Sequence, residues 1–168
     1  MRRIIFVFLT SLLILGCDVF KQPKFKIIVF HDPSENSKLF INGKDISEYP
    51  REPKGRYAED FRIYDNEEIT VEIKDSGKTV VEKKINSGSY LVNLSKNHEV
   101  SYSEISYGRY CNPCKSGSLT NLDITKIADH AFILPYDFNE KPPDEISVTR
   151  SSTLKKSQFF KLTARKKL

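Results

Sequence analysis

A chain of 168 residues, 39% hydrophobic and 29% charged, has the length of one compact domain and is too short for a multidomain enzyme. Its net charge of +5 is concentrated at the ends: Arg2 and Arg3 at one, and Arg150, Lys155, Lys156, Lys161, Arg165, Lys166 and Lys167 at the other, with no acid from Arg150 onward. Between Ile4 and Thr149 stand 18 basic against 22 acidic residues, a net of −4, so the positive charge is local and the body is mildly acidic.

Met1–Cys17 reads MRRIIFVFLTSLLILGC, two arginines followed by an apolar run from Ile4 to Leu15, then Gly16 and a cysteine. The run falls short of the roughly 20 apolar residues a membrane-crossing helix needs. A charged head, a short apolar body and a small residue at the exit form the pattern of a secretory signal peptide. Its last four residues, Ile14-Leu15-Gly16-Cys17, resemble the lipobox of bacterial lipoprotein precursors. That resemblance implies cleavage before Cys17, a lipid on the Cys17 thiol, a mature chain of 152 residues and a place in the bacterial cell envelope. Two or three acyl chains hold a protein at a bilayer almost permanently, at about 0.8 kcal/mol per buried methylene. The alternative is an ordinary secreted protein whose cleavage site carries a cysteine by chance. Asp18 resembles an inner-membrane retention signal of some lineages, which leaves the choice of membrane open. Asp18–Lys24 then forms a short tether, expected to keep the folded domain, residues 25–168, close to the bilayer.

From Phe25 onward the expected elements are strands. Phe25, Ile27 and Val29 alternate with Lys26, Ile28 and Phe30 until Asp32-Pro33-Ser34 ends the run. Lys38–Ile41 is closed by Asn42-Gly43, a strong hairpin signal because both central positions of a type I′ turn need positive φ. Ser47–Tyr64, with Pro50, Pro53, Gly55 and many charges, is read as a long loop or irregular edge. Ile69-Val71-Ile73 alternate with polar residues, Asp75-Ser76-Gly77-Lys78 turns the chain, and Thr79–Ile85 returns. Asn86-Ser87-Gly88 turns it again into Tyr90-Val92-Leu94, and Val100–Tyr107 makes a further run. Short runs at regular spacing with turn chemistry between them predict a mainly β protein, a small antiparallel β-sandwich of Ig-like or transthyretin-like kind.

One short helix is predicted near residues 121–131, because Ile124, Ile127, Ala128 and Ala131 fall at i, i+3, i+4 and i+7 and Thr120 with Asp123 resembles a capping box. Asp137–Glu145 follows as a polar connection, and Ile146–Val148 and Gln158–Ala164 read as two last strands. The domain is thus either one unit or a sandwich over 25–107 with an extension over 108–168.

Asp32–Ile46 and the later Gly88-Ser89-Tyr90-Leu91-Val92 resemble the PEGA and carboxypeptidase-regulatory-like modules of bacterial envelope proteins, in which an Asn-Gly hairpin is followed by a Gly-x-Tyr-x-Val strand. The resemblance spans residues 32–94, and Ser47–Pro53 stands where those modules carry a Gly-x-Thr-Pro step. It implies non-catalytic binding or spacing.

Cys111 and Cys114, in Cys-Asn-Pro-Cys, admit three readings. In an oxidising compartment the first is a local structural disulfide, which would close a very small loop and stabilise modestly. The second is an exported thiol–disulfide redox protein, the alternative function for the chain. A catalytic C-x-x-C needs a helix start to lower the thiol pKa, whereas Lys115-Ser116-Gly117 is poor helix-opening chemistry and the chain has no tryptophan. The third joins the pair to His98 and His130 as a Cys2His2 metal set. His98, in Lys96-Asn97-His98-Glu99, reads more simply as a solvated turn residue. No phosphate loop, nucleophile elbow or zinc-protease motif is present, so no catalytic residue, cofactor or metal ligand is assigned.

The basic end, above all Lys155, Lys156, Lys161, Arg165, Lys166 and Lys167, is suited to an anionic surface, whether lipid headgroups or an acidic face of an envelope protein, and equally to guarding a strand edge. A lipid-anchored exported protein does not routinely meet nucleic acid, which excludes that partner. The sequence therefore predicts a non-enzymatic envelope lipoprotein acting as a binding or assembly module.

Overall fold

Phe-Lys-Ile-Ile-Val-Phe, strand β1 (Phe25–Phe30), is buried at every position rather than at every second one. The reason lies in its neighbours. In the computed structural model, which describes residues 23–46, 51–53, 58–105, 115–129, 131 and 159–167, β1 is the middle strand of a five-stranded sheet covered on both faces. On one side it pairs in parallel with β8 (Gly88–Asn93), itself flanked by β11 (Asp123–Ala128). On the other it pairs antiparallel with β5 (Ala58–Ile63), followed at the edge by β4 (Arg51–Pro53).

A four-stranded antiparallel sheet covers one face, in the order β3 (Lys44–Asp45), β2 (Ser37–Ile41), β6 (Glu68–Asp75), β7 (Lys78–Asn86). Phe25, Ile27 and Val29 meet Leu39, Ile41, Ile69, Val71 and Ile73 there. A three-stranded antiparallel sheet covers the other face, with β9 (His98–Ile105) between β10 (Ser116–Leu119) and β12 (Phe159–Lys166). It brings Val100, Leu119, Leu162 and Ala164 against Ile28, Phe30 and Leu91. Each Val, Leu, Ile or Phe so enclosed contributes about 1.5–3 kcal/mol relative to exposure. The described residues are thus mainly β, built into several largely antiparallel sheets with no closed barrel among them.

Both tight hairpins use left-handed backbone. Asn42 and Gly43 have φ of 51° and 77°, as the Asn-Gly signal requires, and Ser76 and Gly77 have 50° and 81°. Asn42 also locks its turn to the next strand, since its Oδ1 accepts from the Thr70 amide at 2.9 Å and its own amide donates to the Thr70 carbonyl at 2.8 Å.

Three expectations are corrected. Residues 123–128 form a strand and not a helix. The ladder with β8 slips between Lys126 and Ala128, leaving Ile127 as the extra residue of a β-bulge. Ile124 therefore faces one core while Ile127 and Ala128 face the other, and a bulged strand serving two cores spaces its apolar residues as a helix would. The second correction concerns Ser47–Tyr64, which contains two paired strands, β4 and β5. Pro53 is tolerated because β4 stands at the edge of its sheet, and Phe61 and Ile63 carry an alternation that the surrounding charges obscure. Third, the sheets are not wholly antiparallel, because β1 and β8 run parallel. That pairing matters for the site, since it brings the loops after both strands to the same end of the sheet.

Candidate functional site

Where β1 and β8 end, Phe30 stands opposite Asn93, and each chain then enters a turn. Asn93, fully buried, braces the second turn from inside: its Nδ2 donates to the carbonyls of His98 (3.1 Å) and Leu119 (3.2 Å), and its Oδ1 accepts from the Ser95 amide at 2.9 Å. In the first turn Asp32 Oδ1 accepts from the amide and the hydroxyl of Ser34, at 2.9 and 2.7 Å. Glu35 spans the two turns. Its Oε1 accepts from the Ser95 hydroxyl (2.7 Å) and the Asn97 amide (3.2 Å), and its Oε2 from the Lys96 amide (2.7 Å).

His98 opens β9 and turns inward, correcting its reading as a solvated residue: it is 8% exposed, with its ring 5.4 Å from that of Phe30. Its Nδ1 lies 3.6 Å from Asp32 Oδ2 and 3.1 Å from Ser95 Oγ. Burial pushes the Asp32 carboxyl upward, but the two Ser34 hydrogen bonds and the nearby His98 and Lys166 outweigh it and hold the group below its ordinary value. Asp32, Glu35 and His98 thus gather three metal-type donors within 4.8 Å of one another. Beside them opens a cleft of about 290 Å³, lined among others by Asp32, Glu35, Lys38, Asp45, Glu59 and Leu94. Lys38 lies 3.8 Å from Asp45, so the cleft mixes charges with an acidic excess.

A second polar group is enclosed between layers. Lys26 Nζ on β1 meets Asp60 Oδ2 on β5 at 2.9 Å, both side chains having no exposed surface, and Arg62 approaches the same carboxylate oxygen at 3.6 Å. The alternation in β1 suggests an outward Lys26; only the third layer encloses it.

Of the residues singled out from sequence, Cys17, Cys111, Cys114, His130, Lys155 and Lys156 lie outside the described residues, as does the expected strand Ile146–Val148. Lys161, Arg165 and Lys166 belong to β12, of which Arg165 and Lys166 are exposed, and Lys166 stands opposite His98 in the ladder. Lys167 turns back onto its own chain, donating to the Lys96 carbonyl at 2.8 Å and to Asn121 Oδ1 at 3.0 Å. The basic end is therefore joined, at its last residues, to the turn that carries the acidic cluster. No family model, curated protein or solved structure matches the chain.

The cluster of Asp32, Glu35, Ser95 and His98 was not assembled by sequence reasoning. Its residues are about 60 positions apart, and only the parallel pairing of β1 with β8 joins them. The one local signal was Asp32-Pro33-Ser34, a turn in which the aspartate binds the backbone two residues on.

Proposed function

We propose that the protein is a non-enzymatic bacterial envelope lipoprotein, held to a membrane by lipid on Cys17 and presenting a β-sandwich-like binding or assembly module. The observation that carries this reading is the sequence Met1–Cys17, a signal peptide ending in a lipobox-like Leu15-Gly16-Cys17. The layered β architecture supports the module part, and the resemblance of residues 32–94 to envelope sandwich modules agrees with it. The mixed-charge cleft between the β1–β2 turn and β5 supplies a recess for a partner, and exposed Arg165 and Lys166 supply cations on another element.

The test is fractionation of cells expressing the full chain beside its Cys17→Ser variant. The native chain is expected in the membrane fraction and extractable only by detergent, with the variant released from it. Equal partition of the two would overturn the anchor. Reduction of a disulfide substrate that depends on Cys111 and Cys114 would replace the binding module with a redox protein.

A further inference from the structure

We infer that Asp32, Glu35 and His98 form a binding site for a divalent transition-metal cation of the Zn2+ type. The inference stands on the convergence of three donors whose orientation is fixed by the hydrogen bonds around Ser95 and Ser34. A serine hydroxyl has one proton to donate and two lone pairs to accept with. The proton of Ser95 goes to Glu35 Oε1, to which the hydroxyl donates at 2.7 Å. Ser95 Oγ accepts from the backbone amides of Asn97 and His98, each at 3.1 Å, the Asn97 amide being shared with Glu35 Oε1. Ser95 Oγ also meets His98 Nδ1 at 3.1 Å, so the hydroxyl sits between the imidazole and the Glu35 carboxylate. The imidazole is about nine-tenths buried, and its Nδ1 points into the cluster, against Ser95 Oγ and toward Asp32 Oδ2.

The nearest remaining group is Asp32 Oδ2, at 3.6 Å. That separation exceeds a hydrogen bond. It matches the spacing of two ligands on one ion, since donors about 2.0–2.2 Å from a tetrahedral zinc stand roughly 3.3–3.6 Å apart. Asp32 Oδ2 accepts no hydrogen bond among the described residues, while Oδ1 is held by Ser34, so the carboxylate is oriented with one oxygen free. Glu35 completes the set: its bonds to the Ser95–Asn97 turn fix its plane and leave lone-pair capacity unused. With the three donors within 4.8 Å of one another, a shift of roughly 1 Å in the widest pair reaches ligand spacing. One imidazole with two carboxylates suits zinc and its first-row neighbours better than calcium or magnesium, which prefer oxygen alone. Asp32 and Glu35 also line the cleft, which provides the path of entry. The inference is independent of the lipid anchor.

The probe is Zn2+ alone, titrated calorimetrically into the full chain with Cys17, Cys111 and Cys114 changed to serine, so that thiols do not contribute. One equivalent is expected to bind, and His98→Gln and Asp32→Asn should each weaken binding at least tenfold while the far-UV circular dichroism stays unchanged. Absence of saturable binding, or binding that both variants leave within twofold, overturns the inference. Should the variants fail to fold, the nitrogen resonance of His98 Nδ1 in the cysteine-free chain decides the matter. It should shift on addition of one equivalent of Zn2+, and an unmoved resonance would overturn the inference.

Discussion

Lys26 and Asp60 show how much a single residue's worth depends on the layer above it. Taking either charge away breaks the enclosed 2.9 Å pair, so Lys26→Met or Asp60→Asn alone is expected to cost about 3–5 kcal/mol in urea denaturation. The double variant Lys26→Met/Asp60→Leu should recover part of that loss, because the desolvation penalty of both charges goes while Arg62 loses the Asp60 carboxylate. A double variant as unstable as the sum of the singles would mean that the pair does not act as a unit. Tyr90 makes a second case. Burial raises its phenol above the ordinary 10.0, and its hydroxyl donates to the Asn86 carbonyl at 2.8 Å. The folded state thus holds the proton more tightly than the unfolded chain. That contribution is fully present below pH 10 and is lost as pH rises through the higher folded value. Tyr90→Phe should cost about 1 kcal/mol at pH 8, and the difference from the native chain should shrink above pH 10. At this scale little was legible: His98 reads as a solvated turn residue because burial by a distant strand leaves no mark on immediate neighbours.

Among elements, the hairpins were legible and the strand β11 was not, for the same physical reason. A tight turn is decided by two adjacent residues whose φ is positive, and Asn42-Gly43 announces itself. A bulge is decided by which core each side takes, and Ile127 gives no local sign of it. Gly88 belongs with the bulge rather than with the turn it was assigned to. Its φ is +145°, and an added Cβ would stand 2.6 Å from the Ala128 carbonyl oxygen and 2.7 Å from Lys126 Cε. Gly88→Ala is therefore expected to cost more than Gly77→Ala, where φ is +81° but the surrounding space is open. Thermal unfolding should rank them, with about 1–2 kcal/mol for Gly77→Ala from the backbone alone and a larger loss at Gly88, where the Ala128 carbonyl must also move. Equal losses would mean that the close packing of Gly88 against β11 contributes nothing.

For the whole molecule, composition and turn spacing were sufficient to read a β protein of several short strands, but not its three layers. The six buried positions of β1 and the six of β8 alternate weakly in sequence, since strands covered on both faces need apolar or neutralised side chains throughout. The arrangement sets the ends of β1 and β8 side by side, and with them Asp32, Glu35, Ser95 and His98. Ser95→Ala should destabilise the chain by about 1–3 kcal/mol, because Glu35 and the amides of Asn97 and His98 lose their common partner at once. A change within 0.5 kcal/mol by urea denaturation would show that the two turns are not tied through it. The proposed role of the molecule, display of this domain from a membrane, rests on Cys17. Mass spectrometry of the amino-terminal peptide from native membranes tests it most directly: acyl groups on Cys17 with Met1–Gly16 removed is the predicted result, and an unmodified Cys17 or an intact Met1–Gly16 would contradict it.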